Sequence, residues 1–269
     1  MRDSVPCEFP AGYDGTAILD RLAQVLDPEL DESILDLGFV RSLLLRSGHA
    51  SVVLQLPTSW CAVNFAYLMA DDVRRALLTV EDIQQVTVRL GDHCAAEQIE
   101  AAVNEGRSFS DAFPDEGAGS LAALRLTFRR KGFFSRQERL LRELRDAGCT
   151  PATICTLRIG EVSVQDCTFV IQQLDTAPIE GGSAQILGRY LERRAELGLD
   201  CDLAAPLIID LEGEMLSVER LLAHYETART IRVAMEANGS FCRALLSLHR
   251  LDSAGATGNA NTGGKDVQA

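Results

Sequence analysis

Two hydrophobic periods take turns along the first hundred residues. Thr16 to Leu26 places Ile18, Leu19, Leu22, Val25 and Leu26 at helical spacing. Asp27-Pro28 is expected to end that helix, because proline restricts the residue before it. Phe39 to Arg46 and Ala50 to Leu56 read as strands joined by the hairpin signal Ser47-Gly48-His49. A helix from about Trp60 to Leu78 follows, with Val63, Ala66, Tyr67, Ala70, Val73 and Leu77 as its apolar stripe. Ile83 to Leu90 alternates like a half-buried strand, and His93 to Val103 returns to helix. The order α-β-β-α-β-α makes a small mixed sheet backed by helices on one side.

Beyond residue 120 the helical period dominates. Leu121 to Arg130 and Phe133 to Ala147 read as one interrupted helix or two consecutive ones, with Gly148 just past the end. Thr150-Pro151 pairs an N-cap with a first-turn proline. Ala184 to Leu197 stops at Gly198, Ser217 to Ala237 stops at Asn238-Gly239, and Phe241 to Arg250 supplies a last helix. Cys155 to Leu174 is rich in Val, Ile and Thr and is compatible with short strands. The fold class is α+β: a small α-β-β-α-β-α domain followed by a mainly α-helical domain. The expected boundaries are an N-terminal segment 1–15, a first domain 16–109, a linker 110–120, a helical domain 121–252 and a disordered tail 253–269. The linker is placed where Pro, Gly, Ser and Asp cluster. The tail holds one apolar side chain larger than alanine, Val267, too little to offset its ordering entropy.

Charge narrows the function classes. The chain carries 26 basic and 39 acidic residues, a formal −13, and Lys131 and Lys265 are its only lysines. Nucleic acid and anionic membranes are therefore poor partners, since neutralising phosphate needs a surplus of Lys and Arg. No apolar run approaches the roughly 18 residues of a membrane helix. Met1 to Gly15 contains Asp3, Glu8 and Asp14 and does not read as a signal peptide. The eight cysteines include no CxxC pair. Without an export signal, a reducing cytoplasmic setting is the expectation.

The chemistry concentrates between Asp27 and Cys61. A carboxylate-rich loop (Asp27, Glu29, Asp31, Glu32, Asp36) leads through the hairpin to Thr58-Ser59-Trp60-Cys61 at a helix start. With Thr58 or Ser59 as cap, Cys61 falls in the first turn, where unpaired N–H groups and the helix dipole favour a thiolate. A thiolate is both a soft-metal ligand and a nucleophile. Local physics leaves that reading level with an inert cysteine packed beneath the hairpin. The loop lacks the DxDxDG pattern of a calcium site; Asp27 and Glu29 are expected to bond turn amides, and Asp31 and Glu32 to face solvent.

These residues carry a family resemblance over about the first two-fifths of the chain. Residues 16–105 resemble the metal–sulfur (iron–sulfur) cluster assembly domain of SufT-type and PaaD-type proteins and of eukaryotic cytosolic iron–sulfur assembly factors. The matching features are the helix ending in Asp27-Pro28-Glu29, then Asp36-Leu37-Gly38-Phe39-Val40, the hairpin, Thr58 and Cys61 before a long helix, and a strand through Val86 to Leu90. The resemblance implies a non-catalytic maturation factor that holds or transfers iron or an iron–sulfur cluster through Cys61. It implies as partners a client metalloprotein, an oxygenase component for PaaD-like relatives, and other iron–sulfur assembly proteins. Two positions depart from the family pattern: Ala62 stands where proline usually follows the cysteine, and Asp92-His93-Cys94 where tryptophan often follows the last strand. The first loosens the turn at the helix start; the second adds two potential ligands.

His93 and Cys94 join Cys61 if the end of the last strand lies near the start of the long helix. Two thiolates and an imidazole suit iron or zinc but fall short of a closed four-ligand site. A second protomer, making a homodimer, or another partner has to complete a cluster. The bland alternative makes His93 a solvated loop residue and Cys94 a packed one. Cys149, Cys155, Cys167, Cys201 and Cys242 have no ligand-like spacing, so core packing is the default for each. Arg129, Arg130, Arg136 and Arg139 belong to an arginine concentration that either docks an acidic partner or forms a solvated face neutralised by nearby Glu and Asp. Two rival functions stay open. One is a metal-free docking scaffold for an oxygenase complex. The other is a thiol enzyme with Cys61 as nucleophile and His93 as base. GxGxxG, P-loop, GxSxG and HExxH are all absent.

Overall fold

The computed structural model describes residues 5–115, 121–172 and 179–258. The end of the expected linker (116–120), the last two residues of the Cys155–Leu174 stretch and the greater part of the expected tail (259–269) lie outside the described residues. The chain divides into two compact units, Met1–Leu121 with Ala237–Ala269, and Ala122–Glu236.

The first unit runs β1 (Cys7–Glu8), α1 (Thr16–Ala23), β2 (Leu26–Asp27), β3 (Glu32–Ser33), β4 (Val40–Arg46), β5 (His49–Gln55), α2 (Val63–Leu77), β6 (Gln85–Gly91), α3 (Ala96–Glu105) and α4 (Phe109–Ala112). The α-β-β-α-β-α order holds as α1, β4, β5, α2, β6, α3. The main sheet has the order β1-β4-β5-β6; β4 and β5 are antiparallel, and β5 and β6 are parallel. Ser47 and Gly48, both at positive φ, make the two-residue hairpin turn that matches strand twist. Period-2 alternation buries Leu43, Leu45, Ala50, Val52, Leu54, Val86, Val88 and Leu90. These residues share one core with Ile18 and Leu22 of α1, Val73 and Leu77 of α2 and Ile99 of α3. Two α3 side chains serve the main chain of β6. Asn104 bonds both the N–H and C=O of Val88, and Glu100 accepts from Leu90 N–H at 2.7 Å, which protects that strand edge.

Three boundaries differ from the sequence expectation. Helix α1 ends at Ala23, well before Asp27-Pro28, and the chain turns at once into the small antiparallel ribbon β2–β3. Proline forces extended backbone on residue 27, which therefore serves a strand instead of a helix end. Helix α2 starts at Val63, with Ala62 as an N-cap that offers no side-chain bond. The N-terminal segment contributes β1, paired in parallel with β4, where no element was expected.

The second unit contains α5 (Leu121–Asp146), α6 (Pro151–Thr156), a 3-10 turn (Ile159–Glu161), β7 (Val162–Gln165), β8 (Thr168–Ile171), β9 (Ile179–Ser183), α7 (Ala184–Glu196) and the start of α8 (Val218–Gly258). Thr150 caps α6 through its hydroxyl with Pro151 behind it, as its sequence implies. The Val/Ile/Thr-rich stretch forms the antiparallel sheet β7-β8-β9. Phe133, Leu140, Leu144, Phe169, Tyr190 and Leu207 centre its core. Fully buried Arg194 donates to the carbonyls of Asp200, Pro206 and Leu207 and so ties down the loop after α7. Leu121–Asp146 is one uninterrupted helix. The two helices expected over 217–250 are also one, α8, which continues through Asn238-Gly239 to Gly258 and so includes the start of the expected tail. A helix-interior glycine costs only about 1 kcal/mol, which surrounding contacts override. Here a Cβ at Gly239 would sit 3.2 Å from Glu32 Oε1, so the glycine marks close approach, not a stop.

Candidate functional site

Pro28 follows Asp27, whose carboxylate Oδ1 accepts the N–H groups of Glu29 and Leu30, each at 2.9 Å. This turn carries Asp31 at φ +55 and leads into β3. Gly38, at φ +76, closes the following turn with its N–H on the Leu35 carbonyl, a conformation that needs glycine. Asp36 is exposed beside it. Burial is the main force on Asp27, which is 8% exposed, and it pushes the acid up to about 6. The two N–H bonds oppose that shift, while Glu29 and Glu32 add to it. Glu32 does not face solvent as expected: its side chain is 24% exposed and pairs with Arg243 of α8 at 2.6 Å.

Cys61 lies one residue before the N-cap of α2, not within its first turn. Thr58 and Ser59 do not cap that helix. Thr58 instead brings its hydroxyl to 3.3 Å from the Cys61 Sγ, and its carbonyl faces the Cys61 N–H at 3.5 Å. Ala62 adopts φ −54 and ψ 129, values that proline also adopts, so the turn keeps its shape without the ring. Cys61 is partly exposed, packed against the core of the first unit, and next in sequence to Trp60, which is 77% exposed.

The end of β6 does reach this loop. Cys94 N–H bonds the Ser59 carbonyl at 2.7 Å, and His93 Nε2 lies 2.8 Å from the Cys61 carbonyl. His93 is buried, not solvated, and its Nδ1 accepts the Ala95 N–H at 3.2 Å. An accepting Nδ1 fixes the proton on Nε2, which therefore donates to Cys61 C=O. Both ring nitrogens are thus committed to main chain, leaving neither to take a proton from the Cys61 thiol nor to bind metal in this arrangement. Cys94 is exposed. Among the described residues, no group of three or more His, Cys, Asp or Glu side chains is arranged to hold a metal ion. The structure brings Cys61, His93 and Cys94 together through main-chain bonds, without converging their side-chain donors.

The sequence reading missed Cys242. It packs on the same core as Cys61. Burial first, then the charges of Asp27, Cys61 and Glu29, push its thiol up to about 11, with the Arg243 guanidinium opposing. Cys242 thus shares a core with Cys61, and the carboxylates of Asp27 and Glu29 act on its thiol.

The arginine row lies within the second unit. Arg136 is buried, donates to the Arg189 carbonyl at 2.6 Å and lies 3.8 Å from Glu192. Arg139 pairs with Glu236 at 3.1 Å, and Arg129 lies 3.8 Å from Glu196. Arg130 is exposed. The same unit has a recess of about 370 Å³ lined mainly by apolar side chains, with the Arg145 guanidinium 4.8 Å above the Tyr225 ring. No nucleophile–base pair converges there. No helix among the described residues is long and apolar enough to cross a membrane.

Neither the curated proteins nor the solved structures give a significant match to the chain. Residues 16–90, from the start of α1 through the penultimate residue of β6, match the family model described as iron-sulfur cluster assembly protein. The first unit therefore carries a domain of the iron–sulfur cluster assembly family.

Proposed function

We propose that the protein is an iron–sulfur cluster or iron-cofactor maturation factor that carries its cargo on Cys61 and passes it to a client protein. The observation that carries this reading is the position of Cys61. The residue is partly exposed, on a loop fixed at both ends, inside the segment matched by the assembly family. Iron or a cluster is cargo here, not a resident group. A thiol before a helix start, with Thr58 at its sulfur, holds such cargo through one strong bond. The remaining coordination comes from a second protomer, another assembly protein or the client, so that transfer exchanges ligands and never leaves the metal bare. No catalytic residue is assigned: both ring nitrogens of His93, the base expected from the sequence, are occupied by main chain. The resemblance to PaaD-type proteins supports a multicomponent oxygenase component as client, and the cysteine usage supports a cytoplasmic setting.

A delivery assay tests the reading. Protein loaded anaerobically with iron and sulfide is desalted and mixed with an apo-ferredoxin, whose visible spectrum reports cluster arrival. Wild type is expected to deliver, and Cys61→Ala to lose most of that delivery. Equal delivery by both proteins overturns the carrier role.

A metal-free scaffold that docks on an oxygenase complex is the second reading. It predicts that Cys61→Ala preserves both client binding and client activity.

A further inference from the structure

Helix α8 is outside the segment matched by the family, yet its residues from Ala237 belong to the first unit. Four contacts fix how it lies there. Gly239 lets the helix approach Glu32, and Arg243 Nη1 pairs with Glu32 Oε2 at 2.6 Å. Leu246 is 3% exposed within the core that holds β4, β5 and β6. His249 Nδ1 lies 3.4 Å from Gln55 Nε2, and Gln55 in turn bonds the Gly91 carbonyl at the end of β6. Residues 239, 243, 246 and 249 follow the helical i, i+4, i+7 rhythm and form one face. Cys242 stands on that face, three residues after Gly239 and four before Leu246. On the opposite side, Phe241 and Leu248 are 65% and 59% exposed, which fixes the rotation of the helix independently.

The docked face therefore runs from the Asp27–Glu32 turn to the strand ends beside the Cys61 loop. Cys61 and Cys242 are both half-buried and pack on the same core from different elements; the charges that act on Cys242 include the carboxylates of Asp27 and Glu29, while Arg243 is engaged by Glu32. A cation there meets two soft donors and negative potential, and its binding releases the two thiol protons.

We propose that Cys242 is the second thiol of the Cys61 site, so that a thiophilic cation is bridged between the assembly domain and helix α8. The proposal rests on the carrier reading and adds a ligand that the family-matched segment does not contain. Two thiols give a chelate where one gives an exchangeable bond. The helix that supplies the second thiol decides whether cargo is gripped or released. Positions beyond the two sulfurs stay open to water or to a partner's ligand, in keeping with the lack of a third convergent donor among the described residues.

The probe is phenylarsine oxide, applied to the full chain. Its arsenic(III) forms two As–S bonds and releases its oxygen with the two thiol protons as one water, with no change of oxidation state. A single thiol does not retain it through desalting. Intact mass and peptide mapping are expected to find one phenylarsenic group linking Cys61 to Cys242. That link is expected to vanish in Cys61→Ser and in Cys242→Ser. It should persist in Cys149→Ser, a control for the buried Cys149 and Cys155 of the second unit. Circular dichroism melting establishes that each variant folds. Leu246→Val, which loosens the docked face and leaves both thiols, should lower capture and so tests the geometry separately. Capture that is unchanged in Cys242→Ser, or mapped to other cysteines, overturns the proposal. Iron retained after anaerobic reconstitution separates the two levels. Loss in Cys61→Ala with full retention in Cys242→Ser removes only the second thiol, whereas full retention in Cys61→Ala removes the carrier reading itself.

Discussion

Replacing Asp27 with asparagine isolates the electrostatic cost of the loop. The carboxylate is 8% exposed, and burial raises it from the ordinary 3.8 to about 6 although two N–H groups bond its Oδ1. A folded-state acid weaker than the unfolded one binds more protons in the folded state between those two values. Stability owed to this group is therefore fully present below about pH 4 and is lost as pH rises through about 6. A shift of roughly two units corresponds to on the order of 3 kcal/mol, an upper bound for the penalty at neutral pH. Asparagine keeps the oxygen that receives Glu29 and Leu30 N–H and discards the charge. Asp27→Asn is therefore expected to be more stable than wild type at pH 8, by about 1–3 kcal/mol, and not more stable near pH 4. Urea unfolding followed by circular dichroism at a series of pH values measures the difference, in which titrating groups that do not interact with Asp27 cancel. A variant that is less stable at pH 8 and equal at pH 4 refutes the argument, because it makes the ionised carboxylate a net stabiliser. The same substitution removes one of the charges that hold the Cys242 thiol high, so mapped alkylation of Cys242 should quicken.

His93→Ala removes both main-chain bonds of a buried imidazole and is expected to cost about 1–3 kcal/mol in thermal or urea unfolding, with faster iodoacetamide labelling of Cys61. Unchanged stability and labelling would mean the imidazole does not hold the loop. Ala62→Pro places proline where φ is already −54 and is expected to leave the fold intact, with a stability change within about 1 kcal/mol on the favourable side. A clear loss on melting contradicts the backbone reading. Leu246→Ala empties a fully packed position and is expected to cost about 2–5 kcal/mol. Hydrogen exchange should then show extra opening in α8 and in the Asp27–Glu32 turn.

Periodicity made most of the first unit legible. Strict alternation in β4 to β6 and the stripe of α2 report burial on one face, and a residue pattern reports that directly. Ends of elements were less legible, because main-chain contacts made elsewhere decide them. Thr58 and Ser59 look like helix caps, yet the hydroxyl of Thr58 goes to the Cys61 sulfur. Asn238-Gly239 looks like a helix stop, yet the glycine admits Glu32. Cys61 stood out because its neighbours in sequence are also its neighbours in space. Cys242 did not, since its surroundings come from a loop whose Glu32 lies 211 residues from Arg243 along the chain. No local spacing encodes a contact of that range. His93 was read as a ligand or as solvated; the structure buries it and gives both its nitrogens main-chain partners, which no local spacing announces.

Iron bound per chain after anaerobic reconstitution with iron and sulfide, followed by desalting, tests the central claim most directly. Wild type and Cys61→Ala are compared side by side, with visible absorption recording sulfide-to-iron charge transfer and circular dichroism establishing that both are folded. The account predicts retained iron and charge-transfer bands in wild type and their loss in Cys61→Ala. Equal iron and equal spectra in the two proteins would contradict it.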